Sequence, residues 1–170
     1  MLALAAAIAL AAAVASPAAT SSPGVGTPAT VLDLGVAQGD GPAAPLRTVV
    51  GDGPTIVAFW ASYCVACRAE VPALNRAADR WSARGLRVVG VSLESNAERV
   101  SAAQTAWGMR YDVYRLASQN DDLVRRLFSR GLPVAAFVRD GRTTLHEQLL
   151  DDAELARLVP PLLAHGRPAK

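Results

Sequence analysis

Cysteine and histidine are both scarce in this chain of 170 residues, which holds two of each. Two cysteines exclude the framework of several disulfides that stabilises small secreted scaffolds. His146 and His165 stand alone, outside the ligand spacing of a zinc site, and a metal held by the two cysteines would need two further ligands. We therefore expect no metal site. Metal binding by the two cysteines, together with ligands from elsewhere, stays open as an alternative use of the pair.

Lysine is almost absent, since sixteen of the seventeen cationic residues are arginine, and the formal net charge is only +2. The arginines are scattered along the chain and form no basic stripe that would neutralise a phosphate backbone. We therefore expect no nucleic-acid partner. With 51% hydrophobic and 19% charged residues, the composition is that of a globular protein that buries one core.

Long hydrophobic runs are missing, apart from the first stretch of about fifteen residues. That run is shorter than the roughly 20 residues that span a bilayer, and small residues follow it at the spacing of a signal-peptidase site. We expect a signal peptide over 1–19, or an uncleaved anchor, and a flexible linker over 20–28 that is rich in Ser, Thr, Pro and Gly. A single domain over 29–170 would then lie outside the cytoplasm, in the bacterial periplasm or cell envelope.

Hydrophobic patterning predicts an alternation of strands and helices in the rest of the chain. Two β-prone runs, 29–36 and 44–50, flank a Gly/Asp/Pro cluster and predict an N-terminal β-hairpin. The continuous apolar run 54–61 is typical of a central strand that is covered on both faces. It precedes a predicted helix over 65–84, whose apolar residues recur at steps of three and four, and Gly85 ends that helix.

The second half of the chain continues the alternation. Further strands are predicted over 86–94, 111–116, 134–138 and 143–150, and further helices over 97–109, 121–128 and from Asp151 or Asp152 to Val159. An Asp-Gly turn joins the last two strands in a hairpin, and Pro160 and Pro161 are expected to end the last helix. The predicted fold class is α/β, with a mixed central sheet flanked by helices on both faces and an added N-terminal hairpin.

Cys64 and Cys67 fall where the strand 54–61 gives way to the helix 65–84. This is the carboxyl end of a central strand, where open α/β sheets place their chemistry. The first N–H groups of a helix lack partners, so a Cys64 thiolate is expected to be stabilised there and to be a good nucleophile. Cys67, one turn later, is close enough to form a disulfide with it. A purely structural disulfide stays open, but it would close a very short loop and stabilise little, so the spacing favours a redox couple.

The stretch FWASYCVACRAEVPAL, followed by GLRVVGVSLE and later by GLPVAAFVRDGR, resembles the thioredoxin superfamily. Within it, the chain is most similar to the TlpA/ResA branch of membrane-associated extracytoplasmic disulfide reductases, over about residues 28–165. The resemblance implies a thioredoxin-like fold in which Cys64 attacks, Cys67 resolves, and Pro133 is a cis-proline beside them. It implies that Glu70 exchanges a proton with Cys67, although an acid near a helix amino terminus is also favourable without chemistry.

The resemblance also assigns substrate contact to residues beside the cysteines and the cis-proline, namely Tyr63, Trp60, Leu132 and Pro133. Val65 and Ala66, the two residues between the cysteines, would tune the redox potential. The chain departs from the family's pattern at three places. Tyr63 replaces a tryptophan, Ala66 replaces a frequent proline, and the threonine common just after the cis-proline is missing.

The function implied by the resemblance is a thiol-disulfide oxidoreductase that reduces disulfides of exported proteins, for example in cytochrome c maturation. The Cys64–Cys67 disulfide would be its redox group, with no other cofactor, and a membrane thiol donor would recharge it. Because the dipeptide between the cysteines holds no His that would stabilise the thiolate, a reductase is favoured over a strong oxidant. No feature of the sequence demands more than a monomer.

Other functions stay open on the same fold. The chain could be a partner-binding module whose disulfide is structural, a disulfide oxidant, or a copper-handling protein, although His146 does not fit the pattern of a copper chaperone. A peroxidase of this superfamily would want a threonine three residues before its reactive cysteine, where this chain has Ala61.

Overall fold

The structure, a computed structural model, describes residues 28–117 and 121–164. The predicted signal peptide and nearly all of the predicted linker lie outside this part. None of the helices in it has both the length and the hydropathy needed to cross a membrane. The elements, in chain order, are a 3-10 segment Pro28–Asp33, β1 Gly35–Ala37, β2 Ala44–Pro45, α1 Leu46–Val50, β3 Thr55–Trp60, α2 Val65–Trp81, a 3-10 turn Ser82–Arg84, β4 Arg87–Ser92, α3 Ala97–Trp107, β5 Asp112–Leu116, α4 Asp121–Leu127, β6 Val134–Arg139, β7 Arg142–His146 and α5 Asp152–Ala164.

The strands form one mixed sheet in the order β2-β1-β5-β4-β3-β6-β7. β4 lies between β3 and β5 and is parallel to both, whereas β6 runs antiparallel to β3 and β7 runs antiparallel to β6. All six residues of β3 are buried, as the continuous apolar run predicted. The predicted α/β class with a mixed sheet is confirmed.

Both faces of this sheet are covered by helices. Because side chains alternate along a strand, Ile56, Ala58 and Trp60 of β3 pack with α2, α3 and α5. Val57 and Phe59 point to the opposite face and pack with α1, α4 and the first 3-10 segment. The parallel register sets the carboxyl ends of β3 and β4 side by side, so the two loops that leave these strands can meet.

The N-terminal hairpin is much shorter than predicted. β1 and β2 pair antiparallel over only two residue pairs, while the first run begins as a 3-10 segment and the second continues as α1. Leu46 and Val50 are both buried and stand four residues apart, so the apolar residues of the second run follow a helical period rather than a strand period. The prediction of strands over 29–36 and 44–50 is therefore wrong for most of their length.

The last strand also ends earlier than predicted. β7 stops at His146, whereas the sequence indicated a strand as far as Leu150. The backbone N–H of Leu150 donates to the carboxylate of Glu70 at 2.7 Å instead of to a neighbouring strand. A side chain from α2 has thus replaced the sheet as the partner of this segment.

The last helix passes through the two prolines that were expected to end it. α5 begins after Asp151 and continues through Pro160 and Pro161 to Ala164. Each proline removes one N–H from the helix. Arg139 on β6, however, donates to the carbonyl groups of Leu162 and Leu163 at 2.8 and 3.1 Å, and these bonds hold the last turn against the sheet. Tertiary contact has overridden the local signal.

Candidate active site

The turn that leads from β3 into α2 carries the first cysteine. The N–H of Cys64 donates to the carbonyl of Ala61 at 2.9 Å and closes this turn. Cys64 is the N-cap of α2, and its sulfur accepts the N–H of Cys67 at 3.1 Å. The sulfur therefore occupies the place of a capping oxygen, where the first N–H groups and the helix dipole favour negative charge.

Cys64 and Cys67 are joined in a disulfide, so the structure is that of the oxidised form. Cys64 is 9% exposed and Cys67 only 3%. An incoming molecule therefore reaches the sulfur of Cys64 first. This order of exposure agrees with the attacking and resolving roles that the resemblance implies.

A groove of about 480 Å³ opens beside Cys64. Large apolar side chains from the turn, the loop after β4, α4 and the segment before β6 line it: Tyr63, Val65, Leu93, Val124, Phe128 and Leu132. Tyr63 and Val65 flank Cys64 and are 75% and 83% exposed, and exposed apolar surface of this kind marks an interaction site when it is contiguous. Because Cys64 itself lines the groove, an incoming molecule can approach this residue there.

Two of the four predicted substrate residues lie at this groove. Tyr63 and Leu132 line it, as do the two residues between the cysteines, Val65 and Ala66. Pro133 follows Leu132 directly and leads into β6, and the peptide bond between these two residues is cis, as predicted.

Trp60 does not belong to the groove. Its side chain is buried in the core beneath α2, where its ring packs against Trp107 with the centroids 5.1 Å apart. The expectation that Trp60 contacts substrate is therefore wrong, because the alternation of side chains along β3 turns this one into the core. The same packing explains Gly90, where a Cβ would approach Tyr111 to 3.0 Å and Trp60 Nε1 to 3.2 Å.

Glu70 lies three residues after Cys67 in α2 and is only 3% exposed. Its Oε1 accepts the N–H of Leu150 at 2.7 Å. Burial raises the pKa of Glu70 to about 7, and the bond from Leu150 offsets only part of this rise. Burial, and then the charge of Glu70, raise the pKa of Tyr111, so the phenol lies within electrostatic reach of the carboxyl. Glu70 is a buried carboxyl that changes its protonation near neutral pH.

The free energy of unfolding is expected to fall as the pH rises from about 4.5 to about 7, the range over which Glu70 titrates. A carboxyl whose pKa is higher in the folded state stabilises the fold fully below its unfolded value, and this stabilisation is lost as the pH rises through the folded value. The shift of Glu70 corresponds to about 3 kcal/mol. Urea unfolding of the oxidised protein and of Glu70→Gln across this range measures the effect, and the variant should lack this slope. Equal slopes in both proteins would contradict the prediction.

Ser62 and Glu94 belong to the site but were missed in the sequence. The N–H of Ser62 donates to Glu94 Oε2 at 2.6 Å, and the Ser62 hydroxyl donates to Oε1 at 2.8 Å. The two residues each follow the end of their strand by two positions, and the register of β3 and β4 brings them together. The prediction of one strand over 86–94 hid Glu94, because β4 ends at Ser92.

Within residues 28–117 and 121–164, no three His, Cys, Asp or Glu side chains lie close enough together to hold a metal ion. His146 contacts Phe137 edge to face, and its Nε2 lies 3.9 Å from Glu154 Oε1. His146, on β7, thus packs against β6 and α5 through these two neighbours. His165 lies outside the described residues.

Comparison with protein families and curated proteins agrees with this geometry. The model of the AhpC/TSA family matches residues 25–139, which is more than half of the chain. The thiol:disulfide interchange protein DsbE of Tatumella citrea is 33% identical over 72 residues, a match that covers 42% of this chain and 37% of that protein. The matched part is thus little more than a third of the curated relative's length.

Solved structures show the same fold. A secreted disulfide oxidoreductase of Mycobacterium tuberculosis, homologous to E. coli DsbE, is 18% identical and superposes with a TM-score of 0.58, covering 75% of this chain and 97% of its own. A thioredoxin-like protein of Porphyromonas gingivalis is 23% identical with a TM-score of 0.66, covering 84% of this chain and 97% of its own. The thioredoxin-like fold is confirmed.

Proposed function

The chain belongs to the AhpC/TSA family, and from this premise we propose that it is a thiol-disulfide oxidoreductase that reduces disulfides of exported proteins. The observation that carries the proposal is the Cys64–Cys67 disulfide at the start of α2, whose more exposed residue, Cys64, lies between two exposed hydrophobic side chains. The names of the relatives support the same chemistry, since one is a thiol:disulfide interchange protein and another a secreted disulfide oxidoreductase.

The reaction begins with the reduced protein. The Cys64 thiolate attacks one sulfur of the substrate disulfide, a mixed disulfide forms, and the other substrate sulfur leaves as a thiolate that takes up a proton. Cys67 gives its proton to Glu70 and attacks the Cys64 sulfur as a thiolate. The Cys64–Cys67 disulfide forms, the bond between Cys64 and the substrate breaks, and the second substrate sulfur leaves as a thiolate that takes the proton back from Glu70. Two electrons have passed to the substrate, and the protein ends in the oxidised form that the structure describes.

The dithiol itself stores the two electrons, so the cycle needs no other cofactor. A membrane thiol donor would reduce the Cys64–Cys67 disulfide after each turnover by the same exchange in reverse. The substrates would be exported polypeptides such as apocytochrome c, and the groove beside Cys64 would receive their cysteine-bearing segments. The protein would work as a monomer in the periplasm or cell envelope.

The reduction potential of the Cys64/Cys67 couple tests the direction of electron flow. We expect a value at or below about −200 mV, on the thioredoxin and glutaredoxin side of the scale, because neither Val65 nor Ala66 can stabilise the reduced form by charge. Equilibration with glutathione and dithiothreitol buffers, followed by alkylation and mass measurement, gives the potential. A value near about −120 mV, that of a strong periplasmic oxidant, would reverse the direction and leave the roles of the two cysteines unchanged.

A further inference from the structure

Glu94, from the loop after β4, binds the turn that precedes Cys64. Its Oε2 accepts the N–H of Ser62 at 2.6 Å and its Oε1 accepts the hydroxyl of the same residue at 2.8 Å. Hydrogen bonds to an ionised carboxylate are among the strong ones, and two of them on one residue fix its orientation as well as its position. Ser62 is therefore held at two points by a single side chain.

Glu94 is itself held in place by the ends of β3 and β4. Its side chain is only 13% exposed, and its own N–H donates to the hydroxyl of the buried Ser92 at 3.1 Å. The N–H of Leu93 donates to the carbonyl of Trp60 at 2.8 Å and extends the parallel ladder by one bond. Arg99 lies 3.6 Å from Oε1 but is largely exposed, so it adds little. The carboxylate thus reaches Ser62 from a rigid base.

The turn that Glu94 holds determines where the Cys64 sulfur lies. Ser62 is a central residue of this turn, which the bond from Cys64 N–H to Ala61 closes, and Cys64 then caps α2. A shift of the turn would move the sulfur away from the N–H groups that stabilise its thiolate. We infer that Glu94 is a positioning residue, which acts through Ser62 to keep the Cys64 sulfur at the start of α2. This inference rests on the proposed function of Cys64 as the attacking thiol.

Two conservative variants distinguish a role that depends on the length of the Glu94 side chain from a role that depends on its charge. Glu94→Gln keeps the length of the side chain and can accept the N–H of Ser62 while donating to its hydroxyl, but it carries no charge. Glu94→Asp keeps the charge but is one methylene shorter and cannot reach both groups of Ser62. A role through charge predicts instead that Glu94→Asp reacts like the parent and that Glu94→Gln reacts faster, because a nearby carboxylate opposes the ionisation of a thiol.

Alkylation of Cys64 by iodoacetamide measures its reactivity without any protein substrate. In the Cys67→Ser background, where Cys64 is the only thiol, we expect Glu94→Asp to slow alkylation at neutral pH about tenfold, since small displacements of a reacting group have effects of this order or larger. The midpoint of the pH profile should rise by about one unit to match. Glu94→Gln should stay within about twofold of the parent. Glu98→Gln, an exposed glutamate on α3, is the matched control and should change nothing.

An aspartate variant that reacts as fast as the parent would overturn the inference. A glutamine variant that is slowed as much as the aspartate variant would also overturn it, because a side chain of the original length would then fail to preserve the reactivity of Cys64. If Glu94→Asp fails to fold, Ser62→Ala takes its place, since it removes only the hydroxyl bond; slowing supports the inference and an unchanged rate overturns it. Failure of the proposed function is distinct from these results: the wild-type protein would alkylate normally and yet reduce no protein disulfide.

Discussion

Replacing Cys64 with serine is expected to abolish disulfide exchange, lowering turnover by at least about 10³-fold, as the loss of a catalytic nucleophile commonly does. The thiolate is the species that attacks a disulfide, and a serine hydroxyl is not ionised at neutral pH. Cys67 lies beneath the surface, at 3% exposure, and cannot take over the attack. Reduction of insulin with dithiothreitol as the electron source measures the loss.

Cys67→Ser is the matched variant and should stop the reaction one step later. Cys64 still attacks, but no thiol remains to release the substrate, so a mixed disulfide with Cys64 accumulates. Non-reducing electrophoresis and mass measurement detect this adduct, and the double variant, which lacks both thiols, should form none.

Both cysteine variants are expected to keep the fold. The disulfide closes a loop of only three residues' separation, and short loops contribute well under the ~3 kcal/mol of a fifteen-residue loop. Thermal unfolding checks this point. A Cys64→Ser protein that retains turnover would mean that the disulfide is a structural bond in a partner-binding module.

The segment from β3 to α2 could be predicted from the sequence because its local signals all agree. The strand is buried along its whole length and reads as a continuous apolar run, while α2 buries Val71, Leu74 and Ala77 at steps of three. The cysteines stand between two such unambiguous elements. Their place at a carboxyl strand end and a helix start therefore followed from patterning alone.

Two of the errors involve contacts between residues that are far apart in the sequence. α5 continues through its two prolines, and Arg139 on β6 binds the last carbonyl groups of the helix. Leu150 lies outside the sheet because its N–H donates to the carboxylate of Glu70, which lies eighty residues earlier in the chain. The error at Trp60 has a different origin: the resemblance assigned it substrate contact, whereas the alternation of side chains along β3 turns it into the core.

The contact between Glu94 and Ser62 could not be predicted from hydrophobic patterning. It depends on the parallel pairing of β3 with β4, and on the fact that each of the two residues lies two positions beyond the end of its strand. The strand boundary at Ser92 is needed before this offset can be recognised, and boundaries are the least secure part of a prediction from one sequence.

Glu70→Gln is expected to slow the resolving step, the attack of Cys67 on the mixed disulfide, by about 10²- to 10⁴-fold near neutral pH. Glu70 stands one turn after Cys67, and burial brings its pKa to about 7, where a carboxyl can both accept and return a proton. The glutamine variant keeps the size of the side chain and can still accept the N–H of Leu150. Only proton transfer should be lost.

The pH dependence of the resolving step distinguishes this role from a general loss of activity. In the wild-type protein the rate should rise through pH of about 7, as Glu70 loses its proton, and then level off. In Glu70→Gln the rise should come only where Cys67 itself ionises. Stopped-flow measurement separates this step from the first attack, which should be unchanged because it depends on Cys64. Glu98→Gln should reproduce the wild-type profile.

A glutamine variant with the wild-type profile would leave Glu70 only the role of a favourable charge near a helix amino terminus. The direction of the pKa shift argues against that role. A carboxyl placed to gain from the helix dipole would have its pKa lowered, whereas burial raises the pKa of Glu70 to about 7. Ionising it therefore opposes folding above that pH, and proton exchange with Cys67 gives a reason for an ionisable group at a position where a neutral amide would be more stable.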